Sequence, residues 1–224
     1  MIVPSRESNP FATCWTNPGV QGYIAEPGRE PPEIAARLAA LGWWGEIVGP
    51  HGVGKSTLLV ALRQEIAAAG KKWRRVDIRA RSVRRGLQQI WAAELDRDTL
   101  LVIDGMEQLN RPLQWWARYK CWWAGAGLLV TTHRAIGLPL LVELSPSLRV
   151  AEELFRRLVQ NRPSPVTKVD VQNAFNACNG NLRDLLLDLY DQHELRSRRG
   201  ERVIPKARGR VASLAEPAQG KLLD

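Results

Sequence analysis

Cysteine is scarce in this chain and badly placed for cross-linking. Cys14, Cys121 and Cys178 are odd in number, far apart and form no CxxC pair, which excludes a disulfide framework and a cysteine-based zinc site. They read as plain buried thiols. Also missing is any uninterrupted apolar run of the roughly 18 to 20 residues that cross a bilayer. The opening MIVPSRESNP has neither the charged n-region nor the apolar h-region of a secretory signal. The expectation is a cytoplasmic protein without a membrane span. No RNA-binding fingerprint, zinc finger or internal repeat is present. Acidic residues are in deficit, 23 Asp+Glu against 32 Lys+Arg, for a formal net charge of +9. What is there, 224 residues with 45% hydrophobic and 25% charged, suits one main soluble domain with a small appendage, since domains usually run about 100 to 200 residues. Tryptophan is the excess: nine, of which six form the doublets Trp43-Trp44, Trp115-Trp116 and Trp122-Trp123.

Residues 1–32 are rich in proline and without clear periodicity, and they read as an irregular arm. Over 33–145 strands and helices alternate. After a short helix near Pro32 to Leu41, strands are expected at Gly45 to Val48, Trp73 to Ile78, Thr99 to Ile103, Leu128 to Thr132 and Leu140 to Leu144. Further helices are expected at Lys55 to Ala69, Val83 to Glu94 and Leu113 to Trp123. That alternation predicts an α/β fold with a parallel sheet of about five strands sandwiched by helices. The apolar runs Leu100 to Ile103 and Leu128 to Val130 suit central strands covered on both faces. Over 146–195 the pattern is helical only. Ser145-Pro146 opens a first helix, Thr167 with Asp170 resembles a capping box, and Asn181 with Asp184 repeats the device. The expectation there is a three-helix lid. Residues 196–224, with Arg196, Arg198, Arg199, Arg202, Lys206, Arg208 and Arg210 against Glu201 in their first half, read as a basic disordered tail.

The strongest local signal is Gly49-Pro50-His51-Gly52-Val53-Gly54-Lys55-Ser56, which fits GxxxxGK[ST] at every fixed position, directly after a strand and before a helix. Glycines there turn backbone N–H groups inward around phosphate oxygens, and the following helix, with Thr57 next along it, points its positive end at them. Lys55 would reach the β/γ oxygens and Ser56 would ligate Mg²⁺. Asp104, ending an apolar strand, is the matching carboxylate for the metal's water shell. The residue after it is Gly105, and the nearest further acid is Glu107. Glu107 either reaches a water as general base from the next turn or faces solvent at a helix start. Thr131-Thr132-His133-Arg134 ends a later strand. If that strand neighbours the Asp104 strand, Thr132 or Thr131 lies near the γ-phosphate as a polar sensor; otherwise they are ordinary strand-end threonines. His133 and His51 do not stand out as ligands.

These motifs, with the all-helical C-terminal piece bearing Gly180-Asn181-Leu182-Arg183-Asp184, resemble the AAA+ superfamily of additional-strand P-loop ATPases over about residues 40 to 195. The resemblance implies a Mg²⁺-dependent ATPase with ATP as ligand, and a lid arginine, Arg183, that points back at the γ-phosphate as a bidentate, charge-assisted sensor. Two departures stand out. Glu is missing directly after Asp104, and residues 133–139 are too few for the helix that presents an arginine finger, leaving Arg134 alone. A hexameric ring is therefore not supported, and a small nucleotide-driven switch fits better. Alternatives are a nucleotide-gated binding protein that hydrolyses negligibly, or a small-molecule kinase using Asp77, Arg79 and Arg81.

Trp115, Trp116, Tyr119, Trp122 and Trp123 fall within about 120° of one another on a helix. The stripe either packs on the sheet, as a covering helix requires, or forms a stacking or partner surface. Trp43-Trp44 is expected in the core. The basic tail either neutralises phosphates on a nucleic acid or other anionic partner or only solubilises the chain. A protein partner is also open.

Overall fold

The computed structural model describes residues 9–12, 21–160 and 164–200. Helix α1 (Pro31–Ala40) leads into β1 (Trp44–Val48), α2 (Lys55–Ala68) and β2 (Lys72–Asp77). After a 3₁₀ turn come α3 (Val83–Ala92), β3 (Thr99–Asp104), a second 3₁₀ turn (Met106–Gln108), α4 (Arg111–Ala124), β4 (Gly127–Thr132) and β5 (Leu140–Glu143). Three helices follow: α5 (Leu148–Val159), α6 (Lys168–Ala177) and α7 (Leu182–Arg198).

All five strands are parallel, in the order β2-β3-β4-β1-β5. Strand β3 shows why the sheet is sandwiched. Side chains alternate across a strand, so Leu100 and Val102 enter one core with Ile47 and Leu129, beneath α1 and α2 (Leu38, Leu58, Leu62). Leu101 and Ile103 enter the opposite core with Leu128 and Val130, beneath α3 and α4 (Ile90, Ala117, Cys121). Such continuous apolar strands are what burial on both faces demands, and each fully buried Leu or Ile contributes roughly 1.5–3 kcal/mol. Trp43 and Trp44 are half-buried, one against each core.

The aromatic stripe does not pack on the sheet. Ala117 and Cys121 face it, with Leu113 and Ala124 beside them. At about 100° per residue this inner face lies roughly opposite the tryptophans. Trp115, Trp122 and Trp123 are 72%, 66% and 75% exposed, and Tyr119 is 56% exposed; only Trp116 of the stripe is half-buried. Small residues let α4 approach the sheet closely, and periodicity alone could not say which of its two faces was inward. The helix also begins earlier than the pattern predicts, because Asn110 caps it, accepting from Leu113 N–H, with proline in the first turn. No helix among the described residues is long and apolar enough to cross a membrane.

Helices α5 to α7 share a third core of Leu154, Leu158, Val171, Leu185 and Leu189, closed by Phe11 of the N-terminal arm. Phe11 stacks on Phe155 at 6.0 Å, and Asn9 donates to the Tyr190 carbonyl and to Glu194. The capping box at Thr167 and Asp170 is formed. The first of these helices is capped by Ser147 rather than Ser145.

A basic tail does not begin at residue 196. Helix α7 runs to Arg198, and Arg196 holds Asp170 bidentately at 2.7 and 2.8 Å, locking α7 to α6. Residues 201–224, with Arg202, Lys206, Arg208 and Arg210, lie outside the described residues, as do residues 1–8 and 13–20 of the N-terminal arm, Cys14 among them. Cys121 is buried and Cys178 half-buried. The hydrogen bonds from Arg196 hold the Asp170 carboxyl well below its usual range. Arg196→Ala should therefore cost about 1–2 kcal/mol in urea unfolding at neutral pH. Because the folded carboxyl binds protons less readily than the unfolded one, the pair stabilises above the ordinary value of 3.8 and loses that contribution as pH falls below it. An equal deficit at acid and neutral pH would show that the pair is not its source.

Candidate functional site

The C-terminal ends of β1, β3 and β4 converge on one rim, because β4 lies between the other two. Strand β1 opens into the loop 49–54, whose Gly54 is the N-cap of α2. At Gly52 (φ +72°) the side-chain amide oxygen of Asn181 sits where a Cβ would project, so only glycine lets the start of α7 close over the loop. Asn181 in turn caps α7, accepting from the Arg183 and Asp184 N–H groups.

Lys55 is buried, and its Nζ donates to the carbonyls of Gly49 (2.6 Å) and Pro50 (2.8 Å). Burial lowers its pKa, against the opposing pull of Glu107 and Asp104. Ser56 donates to Asp104 Oδ2 at 2.8 Å, and Thr131 donates to Oδ1 at 2.6 Å while its own oxygen accepts from the Gly105 N–H. The sequence-predicted metal pair, Ser56 and Asp104, is thus brought into contact across α2 and β3. Thr131 orients the carboxylate, so it acts through Asp104 rather than standing free. Thr132 is buried with its Oγ1 unpartnered among the described residues, and its carbonyl accepts from the Gly49 N–H. Arg183 is exposed at the start of α7, beside Gly52, with no ion pair among the described residues. Arg134 is likewise exposed, and residues 133–139 hold no helix.

Glu107 lies on the 3₁₀ turn after Asp104 rather than in solvent. Its Oε1 is 3.2 Å from His133 Nε2, and its Oε2 is buried without a partner among the described residues. His133 in turn packs on His51, ring centroids 3.6 Å apart. Burial is the main cause lowering the His133 pKa, opposed by Glu107 and assisted by Lys55 and His51.

The structure also accounts for the missing acid after Asp104. Gly105 has φ +94°, and a Cβ there would run into the Ile78 carbonyl oxygen. No glutamate fits at this position, and the acid sits two residues on. Gly105→Ala should lose at least about 1–3 kcal/mol from the left-handed backbone alone, read as a lower urea midpoint; an unchanged midpoint would mean that the turn rearranges freely.

Sequence reasoning missed two contacts. Arg75, which also holds Asp77 Oδ1 of its own strand at 2.7 Å, reaches across to Asp104 Oδ2 at 2.8 Å, and His133 reaches Glu107. Both cross between neighbouring segments, so only the strand order could have revealed them. Asp77 is held by Arg75, whereas Arg79 and Arg81 are exposed. Chemically, the rim offers backbone N–H groups at a helix start, a buried ammonium, a hydroxyl–carboxylate pair of the hard-oxygen kind that suits Mg²⁺, and a carboxylate held 3.2 Å from an imidazole. Comparison with protein-family models and with curated proteins gives no match.

Proposed function

We propose that this chain binds ATP·Mg²⁺ at the loop 49–56 and hydrolyses it as a small AAA+-like P-loop ATPase, a cytoplasmic nucleotide-driven switch. The observation that carries this reading is the Ser56–Asp104 contact at 2.8 Å, set beside a buried Lys55 and an unpartnered, buried Thr132 oxygen. Insertion of β4 between β1 and β3 supports the additional-strand class. The donor set fits the nucleotide: Lys55 would exchange its two carbonyl partners for phosphate oxygens, and the Thr132 hydroxyl would find the acceptor it lacks. Bound at Ser56 and Asp104, Mg²⁺ would neutralise developing charge on the phosphates.

Glu107 is the residue that accepts a proton from an attacking water, and His133 orients its carboxylate. Arg183 reads the γ-phosphate from the lid, so lid position reports nucleotide state. With no helix in 133–139 and only Arg134 there, this reading needs no ring of subunits.

A second reading, a nucleotide-gated binding protein with negligible hydrolysis, is favoured by one observation: Arg75 neutralises Asp104, which weakens the site for a metal. Equilibrium binding of a fluorescent ATP analogue with Mg²⁺, followed by single-turnover hydrolysis of labelled ATP, separates them. Binding with hydrolysis supports the ATPase, binding without it supports the gated protein, and no binding discards both. Transfer of the γ-phosphate to a small acceptor would instead indicate the kinase, although Asp77 is tied to Arg75.

A further inference from the structure

The outer surface of α3 and α4 has no counterpart in the nucleotide reading. Trp91 of α3 joins Trp115, Tyr119, Trp122 and Trp123 of α4 on the solvent side of the sandwich. Exposed aromatic side chains gathered on adjoining helices mark an interaction surface more often than a bare solvent face. Along the two helices themselves the charge is one-sided, the nearby acids Glu94, Asp96 and Asp98 lying in the turn after α3. From Arg79 to Ala93, and again from Gln108 to Val142, the sequence holds four Lys+Arg in each stretch and no acidic residue. Arg84, Arg85 and Arg111 are exposed and make no ion pair among the described residues. Lys120 is spent on the end of α3, donating to the carbonyls of Ile90, Trp91 and Ala93, which ties the two helices into one platform.

From this geometry we infer that the α3–α4 face docks on an anionic lipid surface. The occupant must be anionic, because unpaired arginines rim the patch. A second copy of the chain is disfavoured, since face-to-face pairing would set arginine against arginine. The rings also lean on one another: Trp91 stacks on Trp116 at 5.5 Å, and Tyr119 lies tilted against Trp122 and Trp123 at 5.9 and 6.2 Å. Those contacts gather the rings into two groups, Trp91 with Trp116 and Tyr119 with Trp122 and Trp123, and take up part of the ring area that bases would need for stacking. The outward stripe of α4 is purely Trp and Tyr, residues whose apolar body sits among acyl chains while an N–H or O–H reaches the headgroups. A convex helix with such a stripe and a basic rim lies in the plane of a bilayer interface, anchored by ring burial and by attraction to anionic lipid. Nothing in this depends on nucleotide binding.

The test is co-sedimentation of the full-length chain with vesicles of phosphatidylcholine alone or with about one third phosphatidylserine, alongside tryptophan emission. Binding to the anionic vesicles with a blue shift is expected. A Trp115→Ala/Trp122→Ala variant, whose changes lie on exposed rings and leave 201–224 intact, should bind them at least about tenfold more weakly. Arg84→Glu/Arg85→Glu should remove the preference for phosphatidylserine and flatten the salt dependence. The inference is overturned if wild type ignores anionic vesicles, or if the tryptophan variant binds them equally, the attraction then coming from elsewhere in the chain. It is also overturned if the same variant instead loses binding to a single-stranded oligonucleotide, or loses a concentration-dependent dimer seen by sedimentation, with vesicle binding untouched.

Discussion

Lys55→Ala should erase the stabilisation that ATP·Mg²⁺ gives the wild-type protein. A ligand bound only by the folded state adds RT ln(1 + [L]/Kd), so nucleotide at about 100 times Kd adds roughly 2.7 kcal/mol. For a chain of this size that raises Tm by roughly 5–10 °C. The variant should show little shift because its loss falls on the bound state. The ammonium is the buried cation facing the rim, and alanine leaves phosphate oxygens in a partly desolvated loop without it. The ligand-free protein should be much less affected. Lys55 now satisfies the Gly49 and Pro50 carbonyls, a gain offset by the burial that lowers its pKa. Thermal shift with and without nucleotide, with circular dichroism as a control on folding, makes the comparison. Equal shifts in both proteins would remove the loop from nucleotide binding.

The features that could be read from sequence are those encoded within one segment. The loop 49–56 declares itself because turn glycines, lysine and hydroxyl must follow each other between a strand and a helix. The apolar stretches of β3 and β4 declare their burial because both faces are covered. The capping box at Thr167, the Asn181 cap of α7 and the proline at the start of α1 work the same way, although Asn181 with Asp184 forms a one-way cap rather than a second box. What was hidden depends on which segments become neighbours. Thr131 meets Asp104 only because β4 pairs with β3, and Arg75 meets it only because β2 does. The outward turn of the tryptophans was hidden for another reason. A helix with aromatic rings on one side and Ala117 and Cys121 on the other offers two apolar faces, and the smaller one fits against the sheet. Gly105 is a middle case: its presence was plain, but the Ile78 carbonyl that forbids a side chain there belongs to a neighbouring strand's end.

Glu107→Gln should slow single-turnover hydrolysis by roughly 10²-fold or more while leaving ATP affinity nearly unchanged, as expected when a general base is lost and no ground-state contact goes with it. The geometry makes this a sharp test. One Glu107 oxygen is engaged by His133 at 3.2 Å and the other is buried without a partner among the described residues, so the free oxygen is the one left for a water. Glutamine keeps the shape and can still meet the imidazole, but it cannot take a proton. His133→Ala keeps the carboxylate and removes its orientation, so its effect should be smaller, about tenfold, and the double variant should be no slower than Glu107→Gln alone, since both act on one proton transfer. Unchanged turnover in Glu107→Gln would remove this residue from the chemistry and favour the nucleotide-gated binding protein. A fall in affinity would instead place Glu107 on the metal, beside Asp104, and assign His133 to holding a ligand rather than a base.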